Sequence, residues 1–273
     1  MRINTNVMAL NASNMLAGNQ GAVQKSIGKL SSGLRINGAA DDASGLAISE
    51  KMRSQIRGLN QAESNAQDGI SLIQTAEGAL QQTTDILQRM RELVVKAEND
   101  GVLTEEDKTS IDVEIQALTT EIDRIAESTT FNGKTLLDGK AGELNFKIGA
   151  NTYTCDTMGI IIGSMSTASL GVWTISIGTA AGAKAALKSI DAAIEKVSTQ
   201  RAELGAVQNR MEYAIENLSA TAENLTSAES RIRDVDMASE MVNFTKNNIL
   251  QQSAMSMLAQ ANQQPQQILS LLG

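Results

Sequence analysis

A seven-residue repeat constrains this chain more than any other feature. Ile190, Val197, Leu204, Met211, Leu218, Leu225 and Ile232 stand seven positions apart without interruption. Leu187, Ile194, Ile215 and Ala222 fill the complementary position of the same heptad, which is broken by Arg201, Gln208 and Glu229. Seven residues fall just short of two helical turns, so such a seam stays buried only when the helix winds with a partner in a left-handed coil. At about 1.5 Å per residue, the stretch 187–232 spans roughly 70 Å.

A partner of matching period lies upstream. Ile73, Ala76, Leu80, Thr83, Leu87, Met90, Val94 and Ala97 alternate spacings of three and four, the signature of a second long helix. Asn99-Asp100-Gly101 then supplies a turn, and Thr104, with Asp107 three residues on, is placed to cap a third helix. Ile111, Ile115, Leu118, Ile122 and Ile125 resume the spacing there, so the second and third segments form an αα-hairpin. With Pro265 the only proline, little interrupts helix formation. The expectation is a mainly α fold: an elongated antiparallel helical bundle or coiled coil, with a small β-hairpin region in the middle of the chain.

That β region falls at about 130–183. Asn132-Gly133 tolerates the positive φ of a tight hairpin turn. Val172 to Ile177 alternates in polarity, with Trp173, Ile175 and Ile177 on one side, as a half-buried strand would. No charge occurs from Thr157 to Ala183, but glycines and hydroxyl residues interrupt the run, which argues against a membrane-spanning helix.

Composition removes several function classes. The chain has no histidine, so the commonest near-neutral base and metal ligand are missing. Cys155 is alone, so neither an internal disulfide nor a thiolate cage forms. A net charge of −8 repels phosphates and argues against nucleic acid as a partner. No catalytic residue, metal or cofactor is expected. Asp41-Asp42 reads as a helix cap ahead of Ala43 rather than a catalytic pair, and Arg231, Arg233, Asp234 and Asp236 as surface ion pairs or subunit contacts. The N-terminus carries no basic stretch followed by an apolar run, so export through a cleaved leader is not expected.

The two ends differ from the middle. Ile3, Val7 and Leu10, then Val23, Ile27, Leu30 and Leu34, form heptad fragments whose register slips between them. Phe244, Ile249, Leu250, Leu258, Ile268, Leu269, Leu271 and Leu272 are separated by uncharged Asn and Gln. Apolar stripes that a single chain cannot cover are read as an assembly surface completed by other copies. The expected organisation is a terminal assembly domain from 1–42 and 235–273, and a helical rod from 43–234 that carries the variable, partly β segment.

The segments Leu30-Ser31-Ser32-Gly33-Leu34-Arg35-Ile36-Asn37 and Ala39-Ala40-Asp41-Asp42-Ala43-Ser44-Gly45-Leu46-Ala47-Ile48 resemble the N-terminal signature of the bacterial flagellins. Ala228-Glu229-Ser230-Arg231-Ile232-Arg233-Asp234-Val235-Asp236-Met237-Ala238 is similar to their C-terminal one, and the likeness extends through the Gln-rich Ala259–Pro265 segment. The resemblance implies a secreted structural subunit that polymerises into the helical filament of the flagellum and serves motility. Its chain ends would be disordered in the monomer and form an inner tube as a coiled coil on assembly. The implied partners are further copies of itself, the flagellar secretion apparatus, an export chaperone, and hook-associated and cap proteins. No membrane insertion is implied.

The same resemblance marks Gln88, Arg89, Arg91, Glu92 and Leu93, with Glu114 from the facing helix, as a contact face. It is read as a subunit contact and as a surface bound by an animal Toll-like innate immune receptor, and both can hold at once, since a surface needed for polymerisation is hard to alter. Two neighbouring readings are a hook-filament junction protein, which shares similar terminal helices, and a non-flagellar coiled-coil scaffold, which explains the heptads but not the two signatures. An enzymatic insert lacks the histidines of a His-Glu-x-x-His zinc motif.

Overall fold

The computed structural model describes residues 6–99, 103–151, 153–175, 177 and 179–272, except the side chains of Ala180 and of 265–272. Among them are six α-helices: α1 (Val7–Ser32), α2 (Ala43–Ala97), α3 (Glu105–Ser128), the short α4 (Thr167–Leu170), α5 (Ala180–Arg233) and α6 (Met237–Leu272). Four short strands, β1 (Thr130–Phe131), β2 (Lys134–Thr135), β3 (Glu143–Lys147) and β4 (Thr157–Ile161), lie between α3 and α4. The chain divides into two compact units, Met1–Ile56 with Glu223–Gly273, and Arg57–Ala222.

In the Arg57–Ala222 unit the heptads form the core. Ile73, Ala76, Leu80, Leu87, Met90 and Val94 of α2, Ile111, Ile115 and Ile122 of α3, and Ile190, Val197, Leu204 and Met211 of α5 belong to one buried cluster. Thr104 begins α3 with a capping box. Its hydroxyl accepts the Asp107 N–H at 3.3 Å, and the Asp107 carboxylate accepts the Thr104 N–H at 2.9 Å. The Thr104 hydroxyl also donates to that carboxylate at 2.7 Å, and this bond, followed by the one from the Thr104 N–H, holds the Asp107 carboxyl below its usual range.

The turn between β1 and β2 has Asn132 at φ 49° and Gly133 at φ 76°, the pair of left-handed residues that a two-residue hairpin needs. Leu136 and Leu137 follow directly into the core. β3 and β4 pair antiparallel, with Leu144 opposite Ile160 and Phe146 opposite Met158, so one face of this ribbon packs inward.

At 172–175 and 177, the described part of the strand expected at 172–177, no strand forms. Gly171, at φ 77°, ends α4 in the left-handed region, and the chain then turns through Trp173 and Thr174 with no strand beside it among the described residues. Val172 and Ile177 are the buried residues, Ile175 is half-buried, and Trp173 is 68% exposed. Side chains of α3 and α5 tether the uncharged segment to the helices. The Asp123 carboxylate of α3 accepts both the Thr167 N–H at 2.9 Å and the Thr167 hydroxyl at 2.7 Å. Gln200 of α5 accepts the Gly163 N–H at 3.1 Å and donates to the Ile161 carbonyl at 3.2 Å. No described helix is long and apolar enough to cross a membrane.

In the terminal unit, α1 and α6 lie antiparallel. Near one end the Asn6 amide donates to the Ala261 carbonyl at 2.7 Å. At the other, Leu34 and Asp234 form a β-bridge, with Arg35 N–H donating to the Arg233 carbonyl at 2.6 Å and Val235 N–H to the Gly33 carbonyl at 3.0 Å. Asp42 caps α2, accepting the Ser44 and Gly45 N–H groups at 3.0 and 2.9 Å. Asp41 accepts from the Asn37 N–H at 3.1 Å. Asp236 caps α6 by accepting the Ala238 N–H at 3.0 Å, and Arg233 pairs with Glu50 at 2.7 Å.

Candidate functional site

The α1–α6 pair is amphipathic in an inverted sense. Ala9, Ala12, Leu16, Asn19, Val23 and Leu30 of α1 are half-buried and Ser26 is fully so; on α6 the sheltered positions are Phe244, Asn247, Asn248, Gln251, Ala254, Leu258 and Ala261. Small and amide side chains thus make most of the inner contact. Val7, Met8, Leu10, Met15 and Ile27 of α1, and Met241, Val242, Ile249, Leu250, Met255 and Met257 of α6, face outward. Large apolar side chains are thus left in water on both helices of one pair.

The residues expected on the terminal stripes therefore divide. Val7, Leu10, Ile27, Ile249 and Leu250 are exposed, whereas Val23, Leu30, Leu34, Phe244 and Leu258 are half-buried. Ile3 lies outside the described residues, as do the side chains of Ile268, Leu269, Leu271 and Leu272, whose backbone belongs to α6. Met8 and Met15 were not among those expected. They sit with Asn11, Ala12, Leu250, Ala254 and Met257 around an open groove of about 390 Å³ between the two helices. A period-seven scan could have found this face, since Met8 and Met15 are one heptad apart, as are Leu250 and Met257.

A second surface lies between α2 and α3. Arg89 donates to the Glu114 carboxylate through Nε at 3.1 Å and Nη2 at 2.9 Å, and also contacts Glu92 at 3.2 Å. These bonds, led by the one to Glu114, raise the Arg89 pKa above its ordinary value. Together with Leu93, Lys96 and Asp107, the three residues line an open groove of about 350 Å³. Gln88 is exposed on α2. Leu93 is only 3% exposed, so it forms the groove's floor, and Arg91 turns instead to Asp191 of α5 at 2.8 Å.

Comparison with known proteins decides the family. The pattern of the bacterial flagellin N-terminal helical region matches residues 3–141, and that of the bacterial flagellin C-terminal helical region matches 187–272. The chain belongs to the bacterial flagellin family. It is 55% identical over 305 aligned residues to a flagellin of Bacillus subtilis (strain 168), covering the whole of both chains. It is 52% identical over 288 residues to a flagellar filament 33 kDa core protein of Treponema phagedenis, again over both whole chains. Among solved structures, the crystal structure of Bacillus cereus flagellin superposes with a TM-score of 0.51 at 32% identity, covering 61% of this chain and 94% of that one. The flagellin patterns leave out residues 142–186, the stretch that holds β3, β4 and α4.

Proposed function

We propose that this chain is a structural subunit that polymerises with copies of itself into a flagellar filament and serves motility, with no enzymatic role. The exposed apolar face of the α1–α6 pair carries this reading. Each such side chain contributes about 1.5–3 kcal/mol when fully covered, while association costs about 4–15 kcal/mol, so a neighbouring copy has to cover most of the face at once. The segments 1–42 and 235–273 form the assembly portion and 43–234 the rod. The ends gain most of their order on polymerisation, because small and amide residues bury little apolar area within one chain.

A subunit built in this way is exported by the flagellar secretion apparatus with an export chaperone, and meets hook-associated and cap proteins at the growing structure. Seeding purified full-length chain with short filament fragments tests the reading. Growth into long filaments supports it; arrest after one added layer points to a hook-filament junction protein, and failure to add to the seeds refutes it.

The groove between α2 and α3 favours a second role. Arg89, fixed by Glu114 and Glu92, offers an oriented guanidinium beside an apolar floor, the kind of anchor that protein interfaces use. We read it as a contact face for a neighbouring subunit and, in the free subunit, for an animal Toll-like innate immune receptor.

A further inference from the structure

Among the described methionines the buried and the widely exposed ones are partitioned, with Met52 of α2 half-buried. Met90, Met158, Met165 and Met211, all in the Arg57–Ala222 unit, are buried. The large-area exposed ones, Met8, Met15, Met237, Met241, Met255 and Met257, all lie on α1 and α6. Three of them, Met8 at 60%, Met15 at 67% and Met257 at 62% exposure, line the groove between those helices. Where a filament-forming face needs only apolar bulk, leucine would suffice. Methionine adds a thioether that reacts with two-electron oxidants.

We propose that Met8, Met15 and Met257 are an oxidative modification site through which peroxide controls polymerisation of the free subunit; this rests on the self-assembly reading above. The thioether sulfur attacks one peroxide oxygen, the O–O bond breaks, the sulfur is oxidised to the sulfoxide, and hydrogen peroxide is reduced to water. The product is polar and carries a strong acceptor. A neighbouring subunit that covers the groove then has to bury that acceptor against apolar side chains, which opposes association. Subunits already within a filament have the groove covered and are protected, so control acts on subunits before incorporation. Sulfoxide reductases, one for each sulfoxide epimer, return the thioether at the expense of a dithiol, which becomes a disulfide as the oxygen leaves as water, and so restore competence.

The test uses purified full-length chain and dilute hydrogen peroxide. Peptide mass spectrometry should find Met8, Met15 and Met257 oxidised while Met90 and Met211 remain intact, and seeded growth should fall at least roughly tenfold and recover after reductase treatment. Preformed filaments given the same dose should keep the three thioethers. The variant M8L/M15L/M257L, compared with its own untreated growth, should lose clearly less on oxidation than M237L/M241L/M255L, which keeps the three groove thioethers. Unchanged growth of chain oxidised at the three positions overturns the proposal, as does equal sensitivity of both variants or failure of the reductase to restore growth. If untreated chain does not extend seeds at all, the assembly reading fails with it.

Discussion

At Asp42 one carboxylate holds the first turn of α2, accepting N–H groups from Ser44 and Gly45 and the Ser44 hydroxyl at 2.8 Å. The Gly45 backbone bond is the main reason its pKa lies below the ordinary 3.8. A carboxyl depressed in the folded state stabilises above its unfolded pKa and loses that contribution as pH falls towards the folded one. The melting temperature of Asp42→Ala should therefore lie below that of the unsubstituted chain near neutral pH, and the gap should narrow as pH drops below about 4, where the neutral carboxyl still caps but no longer contributes its charge. Asp42→Asn, which still caps, should recover most of the loss at neutral pH. A gap of the same size in acid as at neutral pH would show that the charge adds nothing to the cap. Arg89 gives the opposite case: its ion pairs are exposed, so Arg89→Ala should barely move the melting temperature, yet reduce binding of a Toll-like receptor ectodomain by roughly tenfold or more. Surface plasmon resonance on the unpolymerised chain reads this directly.

Along α5 one heptad seam passes from full to partial burial. Leu204 has no exposed surface, while Leu225 is half-buried. Leu204→Ala should cost about 2–5 kcal/mol in denaturant unfolding, as emptied core sites do, and Leu225→Ala clearly less. Equal losses would mean that the seam is uniformly packed. The elements were legible in the sequence where a local rule dictates them: the Thr104/Asp107 box, the Asn132-Gly133 turn, and the 73–97, 111–125 and 190–232 helices. Val172 to Ile177 misled because alternating polarity makes a strand only beside another strand, and Gly171 turns the chain away from one. On α1 the apolar pattern singled out bulky residues without telling which way they face. Close approach of α1 and α6 selects Ala, Ser and Asn for the inside, so Val7, Leu10 and Ile27 point outward while Val23 and Leu30 point inward. The α2–α3 groove was legible in Arg89, Glu92 and Glu114, whereas the burial of Leu93 and the reach of Arg91 to Asp191 depend on how three helices pack.

For the whole chain, the proposed function assigns fold and assembly to different segments. The heptad core belongs to 57–222 and the outward apolar face to α1 and α6, so deleting 1–42 and 235–273 should leave a helical chain with a cooperative melt that adds to no seed. Filament growth from that shortened chain, followed by electron microscopy, would remove the basis of the proposal. One feature of the terminal unit bears on how a finished fibre withstands pulling and twisting. The segments that follow the ends of α1 at Ser32 and of α5 at Arg233 stand side by side, stitched by Arg35 N–H to the Arg233 carbonyl, by Val235 N–H to the Gly33 carbonyl, and by the Arg35 guanidinium, which donates to the Ile232 carbonyl at 2.6 Å. Tension entering through either terminal helix is therefore handed to both strands of the polypeptide at the same level, and neither joint yields as a loose tether while the other bears the load.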